Sequence, residues 1–163
     1  MAVNRGKDFE GVVKECMERV SGTYVLRLYD PQGGYAGVAN PCDFVVYRHS
    51  DHKMFMIECK SVHGNTLSIN SNDTKRKYGN ISNTQWEGLG DAARNYIAAG
   101  VLCWWIDRDV TAYLPIEYLE KQKELGHKSI SYNLTDDGPI IIKGTKKRIY
   151  FDYDFEDFFK NFI

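Results

Sequence analysis

Two short apolar runs separated by a polar hexapeptide constrain this chain more than any other feature. Residues 43–47 (Asp-Phe-Val-Val-Tyr) and 54–60 (Met-Phe-Met-Ile-Glu-Cys-Lys) have the length and the β-branched or aromatic content of strands. The intervening Arg48-His-Ser-Asp-His-Lys53 is short and polar, as a hairpin turn requires. Alternate residues of a strand share a face. Met54, Met56, Glu58 and Lys60 therefore point one way, and Phe55, Ile57 and Cys59 point to the other, more buried side. Asp43 stands 15 residues before Glu58. A hairpin centred near positions 50 and 51 sets the two acids side by side, and that centre falls inside the polar turn.

Two carboxylates and an ammonium at one sheet edge suit phosphodiester hydrolysis. Mg²⁺ or Mn²⁺ prefers carboxylate oxygen and keeps several waters, so two or three Asp or Glu side chains suffice as protein ligands. The ion lowers the pKa of a bound water and offsets charge building on the phosphate. Asp43 and Glu58 are the candidate ligands. Lys60, a compact point charge, could orient the attacking water or stabilise the transition-state phosphate. The bland alternative is an exposed Glu-x-Lys surface pair, worth less than about 1 kcal/mol.

Two further groups are candidates for the same site. Phe9, Val12, Val13, Cys16, Met17 and Val20 recur at the spacing of one helix face, and Glu10 sits on the rim of that stripe, where it could supply a third carboxylate. Gln85 has two readings. Ser82-x-x-Gln85 has the form of a capping box, and the same amide could bring its oxygen to a metal or water.

The remaining pattern predicts one domain over residues 1–163. A strand is expected at 23–29, then a Gly-rich loop or distorted hairpin at 30–41. Residues 63–83 read as a long polar excursion. A second helix follows, with Trp86, Leu89, Ala93, Tyr96 and Ile97 on one face. Strands are expected at 101–106 and 110–114, and Pro115 opens a helix through 124. A short strand at 140–142, a basic turn at 143–148 and a helix after Asp154 complete the series. The order predicts an α/β fold, an α+β sandwich in which helices flank a central mixed sheet.

Composition narrows the partners. Lys and Arg total 21 against 22 Asp and Glu, a net charge of −1, so nucleic-acid contact must come from local patches. Lys75-Arg76-Lys77 is one patch, and Lys143, Lys146, Lys147 and Arg148 form another; each reads either as a phosphate contact or as a solvated run. The acidic, aromatic stretch at 151–159 is expected to pack on the sheet or across a dimer interface. His49 and His52 fall in the turn, and His63 in the loop after Lys60, where it is read as a loop residue or as a group near the phosphate. The four cysteines form no CxxC pair and read as buried thiols. The opening residues lack the apolar core of a secretory signal, and the longest apolar stretch, 11 residues at 96–106, is too short to cross a membrane. A cytoplasmic protein is the expectation.

Asp43…Glu58-Cys59-Lys60 resembles the PD-(D/E)xK nuclease motif, with Pro41-Cys42-Asp43 in place of a contiguous Pro-Asp. More narrowly, the chain resembles the RecU-type Holliday junction resolvases of bacteria and their phages. Asn4-Arg5-Gly6, Met56-Ile-Glu-Cys-Lys-Ser61, Leu67-Ser-Ile-Asn70, residues 81–89 with Gln85 inside, residues 100–106, 111–115 and 148–153 carry the likeness, which spans nearly the whole chain. The resemblance implies a restriction-endonuclease-like sheet and a homodimeric, Mg²⁺-dependent endonuclease, with Mn²⁺ able to substitute. Its two sites would nick opposing strands of a four-way DNA junction, without a small-molecule cofactor or a membrane. By the same resemblance Asp43 and Glu58 are metal ligands, Lys60 is the catalytic lysine, and Glu10 and Gln85 complete the site. Arg5 contacts phosphate or supports the site. The family's projecting stalk corresponds here to a shorter, Gly-rich 23–41 stretch, and Pro41-Cys42 replaces its Thr-rich approach to the catalytic Asp. The alternatives are a non-catalytic binder of branched DNA with the same fold, and a restriction-like duplex endonuclease.

Overall fold

The hairpin expected from the sequence forms the middle of a six-stranded sheet. A computed structural model describes residues 5–29, 39–69 and 81–162, with side chains from residue 8 onward. Its elements are α1 (Arg5–Glu18), β1 (Thr23–Arg27), β2 (Phe44–Arg48), β3 (Lys53–Val62), β4 (Thr66–Ser68), α2 (Asn83–Arg94) and β5 (Ala98–Trp105). After a 3₁₀ turn at Ile106–Arg108 come β6 (Val110–Pro115), α3 (Ile116–Glu124), β7 (Ser129–Ser131), β8 (Ile140–Ile141), β9 (Gly144–Lys146), β10 (Phe151–Tyr153) and α4 (Phe155–Lys160).

The main sheet has the order β1-β2-β3-β5-β6-β8. Only β3 and β5 run parallel; the other neighbours are antiparallel. A parallel pair needs a long crossover, and here that connection carries β4 and α2. The mixed sheet with helices on its faces is the architecture expected from the order of the elements.

Each face buries its own apolar layer. On one, Phe9, Val13 and Met17 of α1 and Phe155, Phe158 and Phe159 of α4 cover Phe44, Phe55, Ile57 and Trp104. The 151–159 aromatics thus pack on the sheet, partly through edge-on ring contacts such as Phe55 with Phe159 at 5.1 Å between centroids. On the other face, Trp86 and Leu89 of α2 and Leu119 of α3 cover Val101, Cys103, Trp105 and Leu114. All four cysteines are buried and free. A Cβ at Gly100 would stand 2.4 Å from the Leu114 carbonyl oxygen, so β5 and β6 meet there only over glycine.

The hairpin register runs from Phe44 opposite Ile57 to Arg48 opposite Lys53, which centres it between 50 and 51. Arg48 ties its turn to the end of the chain's last helix. The buried guanidinium donates to the carbonyls of Phe159 and Phe162, the latter at 2.7 Å, and its Nε donates to Asp51 Oδ1 at 2.8 Å.

Three expectations need correction. The polar run at 63–83 is not a solvent excursion throughout: β4 pairs with β7, and Leu67, Ile69 and Ile81 are fully buried. Residues 70–80 within it lie outside the described residues. Tyr96 does not extend the apolar face of α2. The helix ends at Arg94, and Tyr96 follows at φ 63° with 98% of its surface exposed. Its N–H donates to the Ala93 carbonyl and that of Ile97 to Ala92, both at 3.0 Å, closing the helix as a Schellman motif. Finally, the basic turn at 143–148 is part of a β9–β10 ribbon.

Candidate active site

Asp43 lies one residue before β2, and its backbone is clamped on both sides. Its N–H donates to the Ile57 carbonyl at 3.1 Å, and its carbonyl accepts from the Leu28 N–H at 2.8 Å. The ladder therefore continues past Phe44 and sets Asp43 across from Glu58. Asp43 Oδ2 accepts from the Cys59 N–H at 2.8 Å. Glu58 is only 5% exposed. Its Oε1 accepts from Lys60 Nζ at 2.8 Å and from Gln85 Nε2 at 2.6 Å.

Gln85 reaches Glu58 from the first turn of α2. Its own Oε1 accepts from the Ser82 N–H at 2.9 Å, and its N–H donates to Ser82 Oγ at 3.3 Å. The capping box is formed, and the same amide contacts the acidic pair with its other end. One turn later α2 rests directly on Pro41. A Cβ at Gly88 would meet Pro41 Cβ at 2.3 Å, so glycine is what lets the helix approach the segment leading to Asp43.

Burial dominates the electrostatics. It pushes the Glu58 carboxyl up to about 8 despite the Lys60 ammonium, and the Asp43 charge adds to the rise. Asp43 is raised as well, chiefly by burial, against the Cys59 N–H and Lys60. The like charges of the two carboxyls repel, and protonation of one relieves that repulsion. Burial and the two neighbouring acids push the Cys42 thiol up to about 12, and burial raises Cys59 well above its ordinary value, so neither is a ready nucleophile.

A pair of hard oxygen donors, one buried and one half-buried, held back from ionising by desolvation and mutual repulsion, fits a divalent cation, whose charge would reverse both costs. Two carboxylates make that fit. Among the described residues no group of three or more His, Cys, Asp or Glu surrounds one ion position. Glu10, expected as a third carboxylate, is instead ion-paired with Arg27 of β1. Arg27 lies opposite Phe44 in the register and so shares its α1-side face, whereas Asp43 and Glu58 point to the α2 side.

The other candidates do not join this cluster. Arg5 is the first residue of α1, with its side chain outside the described residues, as are Lys75, Arg76 and Lys77 altogether. His63 Nδ1 lies 3.1 Å from Asp107 Oδ1, beyond the end of β3. His49 and His52 are exposed in the turn, where His52 shares a 2.7 Å hydrogen bond with the Tyr47 hydroxyl. In the C-terminal basic group, Lys143 pairs with Asp157 at 3.2 Å and Lys146 with Asp109, so part of its charge is already matched.

Sequence reasoning missed Arg27 and the Pro41–Gly88 contact. A glycine inside an otherwise helical run was the one available trace of the second.

No protein-family model matches the chain, and no curated protein does. Among solved structures, it is similar to Hjc of Archaeoglobus fulgidus, a Holliday junction resolvase from an archaeal hyperthermophile. The identity is 23% over 69% of this chain and 78% of that one, with a TM-score of 0.46.

Proposed function

We propose that this chain is a metal-dependent, structure-selective DNA endonuclease that resolves four-way (Holliday) junctions by paired nicks, a RecU-type resolvase of bacterial or phage origin acting in the cytoplasm in DNA recombination and repair. The observation that carries the reading is the closure of Asp43, Glu58 and Lys60 into one cluster around the buried Glu58 by the register of a single hairpin. Asp43 and Glu58 would hold Mg²⁺, or Mn²⁺ in its place, and the ion would supply a water acidified for attack and a counter-charge for the phosphate. Lys60 presents a fixed ammonium to the scissile phosphate. Gln85 holds the Glu58 carboxylate in orientation. Glu10 is paired with Arg27 on the opposite, α1-side face, so the ion would be held by Asp43 and Glu58 without it. Arg5 and Lys75, Arg76 and Lys77 are the proposed DNA contacts, and two copies of the chain would supply one site for each of two opposing strands.

The test is cleavage of a four-way junction labelled on each strand in turn, in Mg²⁺, beside a linear duplex of the same arm sequences. Paired nicks near the branch point are expected, with little cutting of the duplex. Asp43→Asn should lower cleavage about a hundredfold or more, the scale on which losing one stabiliser of transition-state charge acts, while junction binding persists. A parent protein that binds junctions but cuts under no divalent metal is a DNA-structure binder. Equal cutting of linear duplex moves the function to a restriction-like endonuclease.

A further inference from the structure

We propose that the capping box of α2 is also the positioning device of the acidic site. The Ser82 backbone N–H, by holding Gln85 Oε1, determines which end of the Gln85 amide faces Glu58. The effect on catalysis rests on the endonuclease reading above; the latch itself does not.

A primary amide is planar, with an acceptor at one end and a donor at the other. Here the ends are committed to different partners: Oε1 to the Ser82 N–H at 2.9 Å and Nε2 to Glu58 Oε1 at 2.6 Å. Flipping the amide would aim oxygen at a carboxylate oxygen and NH₂ at an N–H, two repulsive contacts in place of two bonds. The Ser82 donor thus selects the orientation that serves Glu58. Glu58 Oε1 then carries two donors, since Lys60 Nζ also meets it at 2.8 Å. With one oxygen so occupied, rotation of the carboxylate is arrested and its other oxygen is left free of these two donors. Order passes from a helix cap, through one amide, to the acidic pair.

The residue type at this position separates this role from capping alone. Glu serves as well as Gln at the third position of a capping box, and a negative charge in the first turn of a helix is favourable. Yet the first turn of α2 holds no acidic residue. A glutamate at 85 would keep the bond to the Ser82 N–H but could not donate to Glu58. Ser82 is therefore a positioning residue, and the donor end of Gln85 is the part that capping does not require.

The test uses the full chain labelled with ¹⁵N, reading solvent exchange of the Gln85 side-chain NH₂. Ser82→Ala removes the hydroxyl but keeps the N–H. Ser82→Pro removes both, and the Ser82 φ of −72° suits proline. Protection of the Gln85 NH₂ should persist in Ser82→Ala and fall about tenfold in Ser82→Pro, the factor of one ordinary hydrogen bond. Equal protection in the two variants overturns the latch. If Ser82→Pro does not fold, Gln85→Glu decides through kinetics on the junction: kcat should fall with KM unchanged and helix content retained, and parental kcat overturns the proposal. A parent that cuts no junction defeats the endonuclease reading alone, and in that case loss of Gln85 NH₂ protection in the parent itself would overturn the latch.

Discussion

Arg48 and Lys60 stand on the same hairpin, both carry a charge into nearly closed surroundings, and the fold satisfies them in opposite ways. Arg48 has two backbone carbonyls and the Asp51 carboxylate around its guanidinium. Its hydrogen bond holds the Asp51 carboxyl down at about 2. Lys60 meets Glu58, yet burial keeps that carboxyl up at about 8. The first pair is completed by the fold. The second is left short of positive charge, a cost that a divalent cation held by the two acids would offset.

The largest expected effect breaks the comparison on function. Lys60→Met should lower single-turnover cleavage of a four-way junction about a hundredfold or more while Arg48→Met leaves the chemical step of the folded fraction intact. Comparable losses from both would erase the distinction. The next effect is on stability: Arg48→Met removes the guanidinium bonds to the carbonyls of Phe159 and Phe162 and should cost about 2–3 kcal/mol in urea unfolding. A loss too small to measure would reduce Arg48 to a surface group.

The two acids give opposite pH signatures. The folded Glu58 carboxyl is raised above its unfolded value, so its contribution to metal-free stability is complete below about pH 4.5 and lost as pH rises through about 8. Melting temperature should therefore fall towards alkaline pH in the parent, and less so in Glu58→Gln; parallel curves would contradict the burial argument. Asp51 is lowered, so its contribution is present above its ordinary value of 3.8 and lost as pH falls through about 2. The smallest contrast is between two glycines of α2. Gly88→Ala should destabilise by about 1–3 kcal/mol because it drives into Pro41. Gly90→Ala meets the movable end of Glu120 at 2.9 Å and should change stability by less than about 1 kcal/mol, since alanine favours the helix.

What could be read in the residues follows from locality. Alternation in 54–60 and the polar turn are local signals, and together they determine a register, so the meeting of Asp43 with Glu58 was legible. Ser82-x-x-Gln85 was legible for the same reason. Three-residue strands such as β4 and β7 carry too little periodicity to show, and they find each other only because Leu67 and Ile130 share a core. The capture of Glu10 by Arg27 was equally hidden, since an amphipathic stripe says where a rim residue points but not which cation lies across from it. Tyr96 was misplaced because helical spacing continues past the point where a Schellman closure ends the helix.

The parallel pairing of β3 with β5 also sets an order in time. Hairpins close within microseconds, whereas strands joined by a long crossover meet later. Asp43, Glu58 and Lys60 are gathered by the hairpin alone, while α2 and β5 belong to the later step. During folding the two acids are thus first neighbours in water, with the ordinary acidity of solvated carboxylates. The docking of the crossover then removes that water and sets Gln85 of α2 against Glu58.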